Sequence, residues 1–220
     1  MCNKEEQFKN LIKNVQKCSH NCPRMCGRKR VFSESNGNIN TKVLFIAEAP
    51  SRLGAGKTGI PLCGEDAGRN FEELLCSIKW IKTPLGEKRI SWDGENIFVT
   101  NAVLCNPLKD KTKIAPPNAI EIKNCSDHLK ETISIVNPEV IVTLGRKALD
   151  ALKKIEVHHI KLKDNVATLI TWHQRKVFPL YHPSKQVMIH FKQRTEIEQR
   201  EDYKKLQELV DPIKGLKKRG

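Results

Sequence analysis

The stretch KVLFIAEAP (residues 42–50) is a continuous apolar run that ends at a proline. Such a run is typical of a strand buried on both faces of a parallel sheet. Two more apolar runs follow it, NIFVTNAVL (96–104) and EVIVTL (139–144). Between the runs, apolar residues recur at helical spacing over 70–80 and 119–135. This alternation predicts a three-layer α/β/α domain around a central, mostly parallel sheet.

The rest of the chain supplies smaller elements and two distinct ends. Its predicted elements are three helices over 3–17, 147–155 and 196–210, and two short strands over 168–173 and 177–180. We expect a single domain over 1–220. Within it, 1–35 forms an N-terminal helix with a cysteine segment, and 212–220 is a basic tail.

The charge balance is strongly positive. The 220 residues include 39 lysine and arginine against 25 aspartate and glutamate, a formal net charge of +14. This excess favours nucleic acid as a partner, because lysine and arginine neutralise phosphates. An ordinary basic enzyme with solvated lysines is the alternative. No run approaches the roughly 18 apolar residues of a membrane span, and no signal-peptide core begins the chain. We therefore expect a cytoplasmic, nucleoid-associated monomer with no membrane partner.

Eight cysteines stand out in a chain that is expected to be cytoplasmic. Disulfides are rare in that compartment, so clustered thiols there indicate metal ligands. Cys18, Cys22 and Cys26 recur every four residues, and Cys105 and Cys125 lie far downstream. The clustered cysteines therefore predict metal ligands.

Three polar residues stand at or just beyond the carboxyl ends of predicted strands. They are Glu48, Asn101 and His182. Ligand sites in such sheets form at this edge, where a carboxylate, an amide and an imidazole would suit hydrolysis or glycosidic cleavage. Each residue alone has a structural alternative, as a helix cap, a turn residue or a loop histidine. Their expected convergence favours a site.

The segment SRLGAGKT (51–58) nearly matches a phosphate-binding loop. It has Ser51 where the pattern needs its first glycine, and Gly59 and Pro61 disfavour the helix that must follow. We expect a glycine-rich loop over 51–68 in which Lys57 lies near DNA or substrate.

Five motifs together resemble the uracil-DNA glycosylase superfamily, in its iron–sulfur branch. They are CSHNCPRMCGRKRVF (18–32), VLFIAEAPSRLGAGKTGIPLCGEDAG (43–68), FVTNAVLCNP (98–107), the segment 124–145 with NPEVIVTLG, and LYHPS (180–184). The family's first active-site motif has the form G-E-A-P-G, then T-G-x-P-F-x-G-x-x-G, and its second is H-P-[SA]. The motifs occur here in the family's order and cover most of the chain.

The resemblance implies that Cys18, Cys22, Cys105 and Cys125 ligate a 4Fe–4S cluster, which needs four thiolates. Three residues separate the first pair where the family usually has two, so Cys26 is an alternative ligand. Zinc is the alternative metal. The cluster would tie the N-terminal segment to the loop after Cys105. The lysines of that loop that could contact DNA phosphates are Lys109, Lys111 and Lys113.

The resemblance also implies hydrolysis of the N-glycosidic bond of uracil in DNA, on a nucleotide flipped out of the duplex. Glu48 and His182 would be the catalytic residues. Substrate would contact Ala49, Pro50, Ser51, Leu62, Asn101 and Ser184. An apolar residue after the second motif, Val187 or Met188, would wedge into the vacated base stack.

Three positions depart from the family pattern. Ala47 and Ser51 replace its glycines, and Leu62 replaces the aromatic residue that stacks on uracil. Stacking of a base on an aromatic ring is worth roughly 1–3 kcal/mol. The departures keep two alternatives open: a glycosylase for hypoxanthine or xanthine, and a non-catalytic iron–sulfur DNA-binding protein.

Overall fold

The computed structural model describes residues 3–20, 22–25, 28–108, 115–191 and 193–211. Its centre is a five-stranded sheet in the order β2-β1-β3-β5-β4. The strands are β1 Val43–Ala47, β2 Phe98–Asn101, β3 Val140–Leu144, β4 Ile170–Trp172 and β5 Arg175–Leu180. All neighbours pair in parallel except β4 and β5, which are antiparallel.

Helices cover both faces of this sheet. They are α1 Lys4–Gln16, α2 Ala55–Thr58, α3 Asp66–Ser77, α4 Ala119–Val136, α5 Arg146–Ile155, α6 Leu162–Asn165 and α7 Glu196–Val210. Side chains alternate across β1, so Leu44 and Ile46 pack with α1, α4 and α5, whereas Val43 and Phe45 pack with α3 and α7. These two cores confirm the predicted three-layer α/β/α fold with a mostly parallel sheet.

The order of the strands creates a crevice at their carboxyl ends. The chain runs from β1 to its neighbour β2 and then crosses to β3, on the other side of β1. Such a change of direction leaves the ends of β1 and β3 uncovered and is where ligands bind in open α/β sheets. Glu48 follows β1 directly, and Gly145 follows β3.

The segment 51–68 differs from the predicted loop. It contains one helical turn, α2, which ends at Gly59 in the left-handed conformation with φ of 84°. The turn forms because the Gly54 and Ala55 carbonyls accept from Thr58 and Gly59 amides. Left-handed backbone at Gly59 stops the helix there, as glycine permits.

Several predicted features lie outside the described residues: Cys26, the lysines at 109, 111 and 113, and the basic tail at 212–220. Within the described ranges, no helix combines the length and apolar character needed to cross a membrane.

Candidate active site and cysteine centre

A cavity of about 1160 Å³ opens at the carboxyl edge of the sheet, and Glu48 and His182 both line it. Glu48 follows β1, Gly145 follows β3, and His182 follows β5 by two residues. These three neighbouring strands therefore bring a carboxylate and an imidazole, 134 positions apart in the chain, to one cavity.

Glu48 is half-buried at the base of this cavity. Burial raises the pKa of its carboxyl above the ordinary value of 4.5, and the cations Lys147 and Arg146 partly oppose that rise. Both cations lie in the first turn of α5, which begins immediately after β3. The effect of burial thus outweighs that of the two cations, and Glu48 takes up a proton at a higher pH than an ordinary glutamate.

His182 lies across the cavity, where its surroundings disfavour a charged ring. Burial lowers the pKa of His182 from 6.5 to about 4. Gly145 has a φ of 93°, a backbone conformation that glycine permits, and the turn that it forms after β3 passes beside the His182 Cβ. At neutral pH the ring is uncharged and can donate one hydrogen bond to a ligand while its other nitrogen accepts one.

Asn101 ends β2, next to β1. It pairs with Ala47, and the Val103 amide donates to the Glu48 carbonyl oxygen at 3.2 Å, so the two strand ends are joined. The Asn101 side chain is 2 % exposed, and its Nδ2 has no hydrogen-bond partner among the described residues. A buried amide donor without a partner is rare in proteins and indicates a group prepared for a ligand.

None of the predicted substrate contacts lines the cavity in the described part of the chain; they are Ala49, Pro50, Ser51, Leu62, Asn101 and Ser184. Asn106 Nδ2 donates to the Pro50 carbonyl oxygen at 2.6 Å and so holds the turn formed by Ala49, Pro50 and Ser51. On the opposite side, Asn70 of α3 donates to the Pro183 carbonyl oxygen at 2.9 Å and holds the turn before Ser184.

Leu62 is buried in the core against α3 and has a left-handed φ of 53°. This conformation is unusual for a bulky residue, and contacts with α3 on one side and Trp92 on the other stabilise it. A Cβ at Gly68 would overlap the Leu62 carbonyl oxygen, so α3 approaches this loop closely. Trp92 Nε1 donates to the Pro61 carbonyl oxygen at 2.8 Å, and the Arg89 guanidinium stacks on the Trp92 ring. Neither Trp92 nor Arg89 was predicted from the sequence.

After Pro183 the chain forms a single wide helical turn, Gln186–His190. Val187 lines the cavity and Met188 is half-buried, so the wedge position remains a prediction. The large exposed apolar side chains of this segment are Ile189 and Phe191, at 60 % and 64 % exposure. Neither was singled out from sequence, because no periodic pattern there distinguishes exposed residues from buried ones.

The four cysteines expected to bind the cluster gather at one place. Burial, with a smaller contribution from the Cys18 and Cys22 sulfurs, raises the pKa of Cys125 to about 12 and that of Cys105 to about 11. None of the four forms a disulfide. Asn124 Nδ2 donates to Cys22 Sγ at 3.3 Å. Cys125 is buried and the other three are half-buried, and free thiols of this kind become ionised when a metal supplies the opposing charge.

Two arginines attach the N-terminal cysteine segment to the body of the fold. Arg24 Nε donates to Glu121 at 2.8 Å, in the first turn of the helix that carries Cys125. Arg30 pairs with Cys105 in a β-bridge and donates to the Cys18 carbonyl oxygen at 2.7 Å. The Arg30 Nε is buried without a partner among the described residues. Four thiols beside a cation that has no acidic partner among the described residues fit an anionic four-thiolate cluster.

A second donor set adjoins these thiols. Ligand atoms of Cys18, His20 and His128 all lie within 4.8 Å of one another, and His128 Nε2 is buried without a partner in the described part of the chain. Thiolate and imidazole together suit zinc. The sequence analysis missed both histidines, although His20 lies within CSHNC and His128 lies one helical turn after Cys125.

The profile described as the uracil DNA glycosylase superfamily matches residues 34–207. The chain belongs to this superfamily. The Type-4 uracil-DNA glycosylase of Thermotoga maritima is 32 % identical over 188 residues, which are 84 % of this chain and 85 % of that protein. The Type-4 uracil-DNA glycosylase of Archaeoglobus fulgidus is 28 % identical over 212 residues, 93 % and 94 % of the two chains. These findings confirm the family predicted from the five motifs.

A relative of a different type matches a shorter part. The Type-5 uracil-DNA glycosylase of Pyrobaculum aerophilum is 31 % identical over 122 residues, which are 54 % of this chain and 51 % of that protein. The matches to these two Type-4 relatives therefore cover much more of the chain.

Proposed function

We propose that the protein is a DNA repair glycosylase that hydrolyses the N-glycosidic bond of uracil in DNA, releases the free base and leaves an abasic site. The observation that carries the proposal is the shared cavity of Glu48 and His182 at the carboxyl edge of the sheet. The Type-4 names of the relatives support the choice of uracil as the base. The chain acts as one domain over 1–220, as a cytoplasmic, nucleoid-associated monomer.

In this proposal the damaged nucleotide leaves the duplex and enters the cavity. Cleavage of the bond develops positive charge on the sugar and negative charge on the departing base. Glu48 faces the sugar, where its carboxylate stabilises the developing cation and orients the attacking water. His182 donates a hydrogen bond from its neutral ring to a base carbonyl oxygen, where the negative charge collects. Asn101 contacts the base edge through its free Nδ2.

The turns around the cavity would support the base and the sugar. Ala49, Pro50 and Ser51 approach from the end of β1, and Ser184 contacts the DNA strand. Leu62 is buried against α3 and supports the loop from the core. Cys18, Cys22, Cys105 and Cys125 would hold a 4Fe–4S cluster, with Cys26 as the alternative ligand. When bound, the cluster crosslinks the N-terminal segment to the sheet and has no part in bond cleavage.

The direct test is a base-release assay on otherwise identical oligonucleotides containing uracil, hypoxanthine or xanthine. We expect release of free uracil and an alkali-sensitive abasic site. Release of only a purine base would replace uracil with the alternative that Leu62 motivates. Salt-sensitive DNA binding with every base left intact, in protein that contains its metal, would identify a non-catalytic DNA-binding protein instead.

The value of kcat/KM is expected to fall at low pH, as Glu48 becomes protonated. Because burial raises the pKa of Glu48, the acid limb of kcat/KM should lie above pH 4.5. His182, with its pKa lowered to about 4, stays neutral through this limb. Lys147→Gln removes a cation that lowers the Glu48 pKa, so the limb should move to higher pH. Rates between pH 4 and 8 check this.

The control for that profile is Lys154→Gln, on the same helix but outside the cavity lining. Its acid limb should coincide with that of the wild type. A limb that moves to lower pH in Lys147→Gln contradicts the assignment of Glu48 as the titrating group.

Asn101→Ala is expected to impair the reaction without harming the fold. Loss of the amide removes a hydrogen bond to the base and should lower kcat/KM for uracil by roughly 10-fold or more. The wild-type Nδ2 has no partner in the described structure, so its removal should leave Tm unchanged or higher. Kinetics and thermal unfolding of the same preparation measure both effects.

Asn106→Ala provides the contrast, because its buried Nδ2 does have a partner, the Pro50 carbonyl oxygen. This variant should lose thermal stability. An Asn101→Ala protein that is as active as the wild type would remove Asn101 from the base-binding site.

A further inference from the structure

The cavity extends well beyond the two proposed catalytic residues. From Glu48 and His182 it continues between the exposed side of α5 and the segment 158–163. Its volume of about 1160 Å³ exceeds the roughly 300–1,000 Å³ of a site for one small molecule. A single extruded nucleotide therefore leaves the far part of the cavity free for another portion of the substrate.

The walls of this extension are positively charged. Six cationic side chains line the cavity against two carboxylates, those of Glu48 and Asp150. We call four of the cationic residues the basic wall: Arg146, Lys153, Lys161 and Lys163. All four are exposed, and none forms an ion pair within the described part of the chain.

Arg194 lines the same cavity, but acidic side chains neutralise its charge. Its guanidinium donates to the Asp202 carboxylate and also approaches Glu198. No residue of the basic wall has a carboxylate within ion-pair distance in the described structure, although Arg146 acts on Glu48 at longer range. The charge of the basic wall therefore remains available to a polyanion.

The spacing of the wall suits a nucleic acid backbone. Arg146 and Lys153 are seven residues apart on α5, which places them on one side of the helix and roughly 10 Å apart along its axis. Phosphates of one duplex strand are spaced about 3.4 Å along the axis, so this distance corresponds to about three nucleotides. Lys161 and Lys163 extend the same wall at the start of α6.

We propose that the basic wall binds backbone phosphates of the DNA strand on one side of the nucleotide held at Glu48 and His182. The inference rests on the proposed function for the position of that nucleotide. It assigns to this chain a phosphate-binding surface formed by α5 and 158–163, separate from the residues that contact the base.

The test compares two triple variants in binding to a fluorescein-labelled 20-mer DNA without uracil. The first is Lys153→Gln, Lys161→Gln, Lys163→Gln. The matched control is Lys82→Gln, Lys204→Gln, Lys205→Gln, which removes three exposed lysines outside the cavity lining, two of them on α7 across the sheet. Fluorescence anisotropy over a range of salt concentrations gives Kd and its salt dependence for each protein.

The wall variant should bind at least about tenfold more weakly at 0.1 M salt, and its slope of log K against log salt should fall by about 2–3. The control should retain the wild-type slope. An unchanged slope in the wall variant, or an equal loss in both, overturns the proposal. Because the probe contains no uracil, the binding result does not depend on the base-release assay. If the wall variant loses binding while the wild-type protein releases no base, only the proposed function is contradicted.

Discussion

Glu48→Gln is expected to lower kcat for uracil release by roughly 10²–10⁴-fold, the range for loss of a positioned catalytic carboxylate. The substitution preserves the size of the side chain and removes its charge. It therefore eliminates stabilisation of the developing positive sugar while leaving the cavity shape intact. Because this interaction strengthens only as the bond breaks, KM should change little. Single-turnover rates on a uracil-containing oligonucleotide measure the loss directly.

Glu139→Gln is the matched control for this variant. It neutralises an exposed carboxylate just before β3, at the opposite edge of the sheet, where Glu139 pairs with Lys42. Its kcat should equal that of the wild type, since surface pairs of this kind contribute little. A Glu48→Gln protein with more than about a tenth of the wild-type rate would show that the carboxylate is not the catalytic group.

The sheet could be predicted from sequence because buried parallel strands have a simple signature. β1 is an unbroken apolar run, β3 is apolar apart from Thr143, and every residue of both is buried. The turn α2 could not be predicted in this way. Its sequence AGKT has no apolar periodicity, and backbone hydrogen bonds to Gly54 and Ala55 form it.

The core of the site could be predicted for a topological reason, and its surroundings could not. Glu48 and His182 both follow strands that are parallel in the sheet, so the fold rule alone brings them to one edge. The basic wall depends instead on how 158–163 returns over α5, which no local pattern specifies. That Asn101 Nδ2 lacks a hydrogen-bond partner among the described residues can likewise be recognised only when its neighbours in the fold are known.

Cys125→Ala is expected to abolish the metal centre and to destabilise the whole fold. A cluster held by Cys18 and Cys125 closes a loop of about 100 residues, and a crosslink of that length is worth roughly 4–5 kcal/mol by the entropy argument used for disulfides. For a chain of this size, about 2–4 °C of Tm accompanies each kcal/mol, so Tm should fall by about 10–20 °C. Iron should fall from about four atoms per chain to almost none.

Two controls distinguish the loss of an iron–sulfur cluster from the effect of removing any one thiol and from the loss of zinc. Cys76→Ala removes a half-buried thiol from α3, on the other side of the sheet, and should keep its iron and nearly all of its Tm. His128→Ala removes one ligand of the alternative Cys18, His20 and His128 set. A four-thiolate cluster survives that change, with absorbance near 400 nm and the iron content retained. Loss of zinc in His128→Ala, with Cys125→Ala still fully metallated, would instead assign the metal to the histidine set and contradict the iron–sulfur cluster.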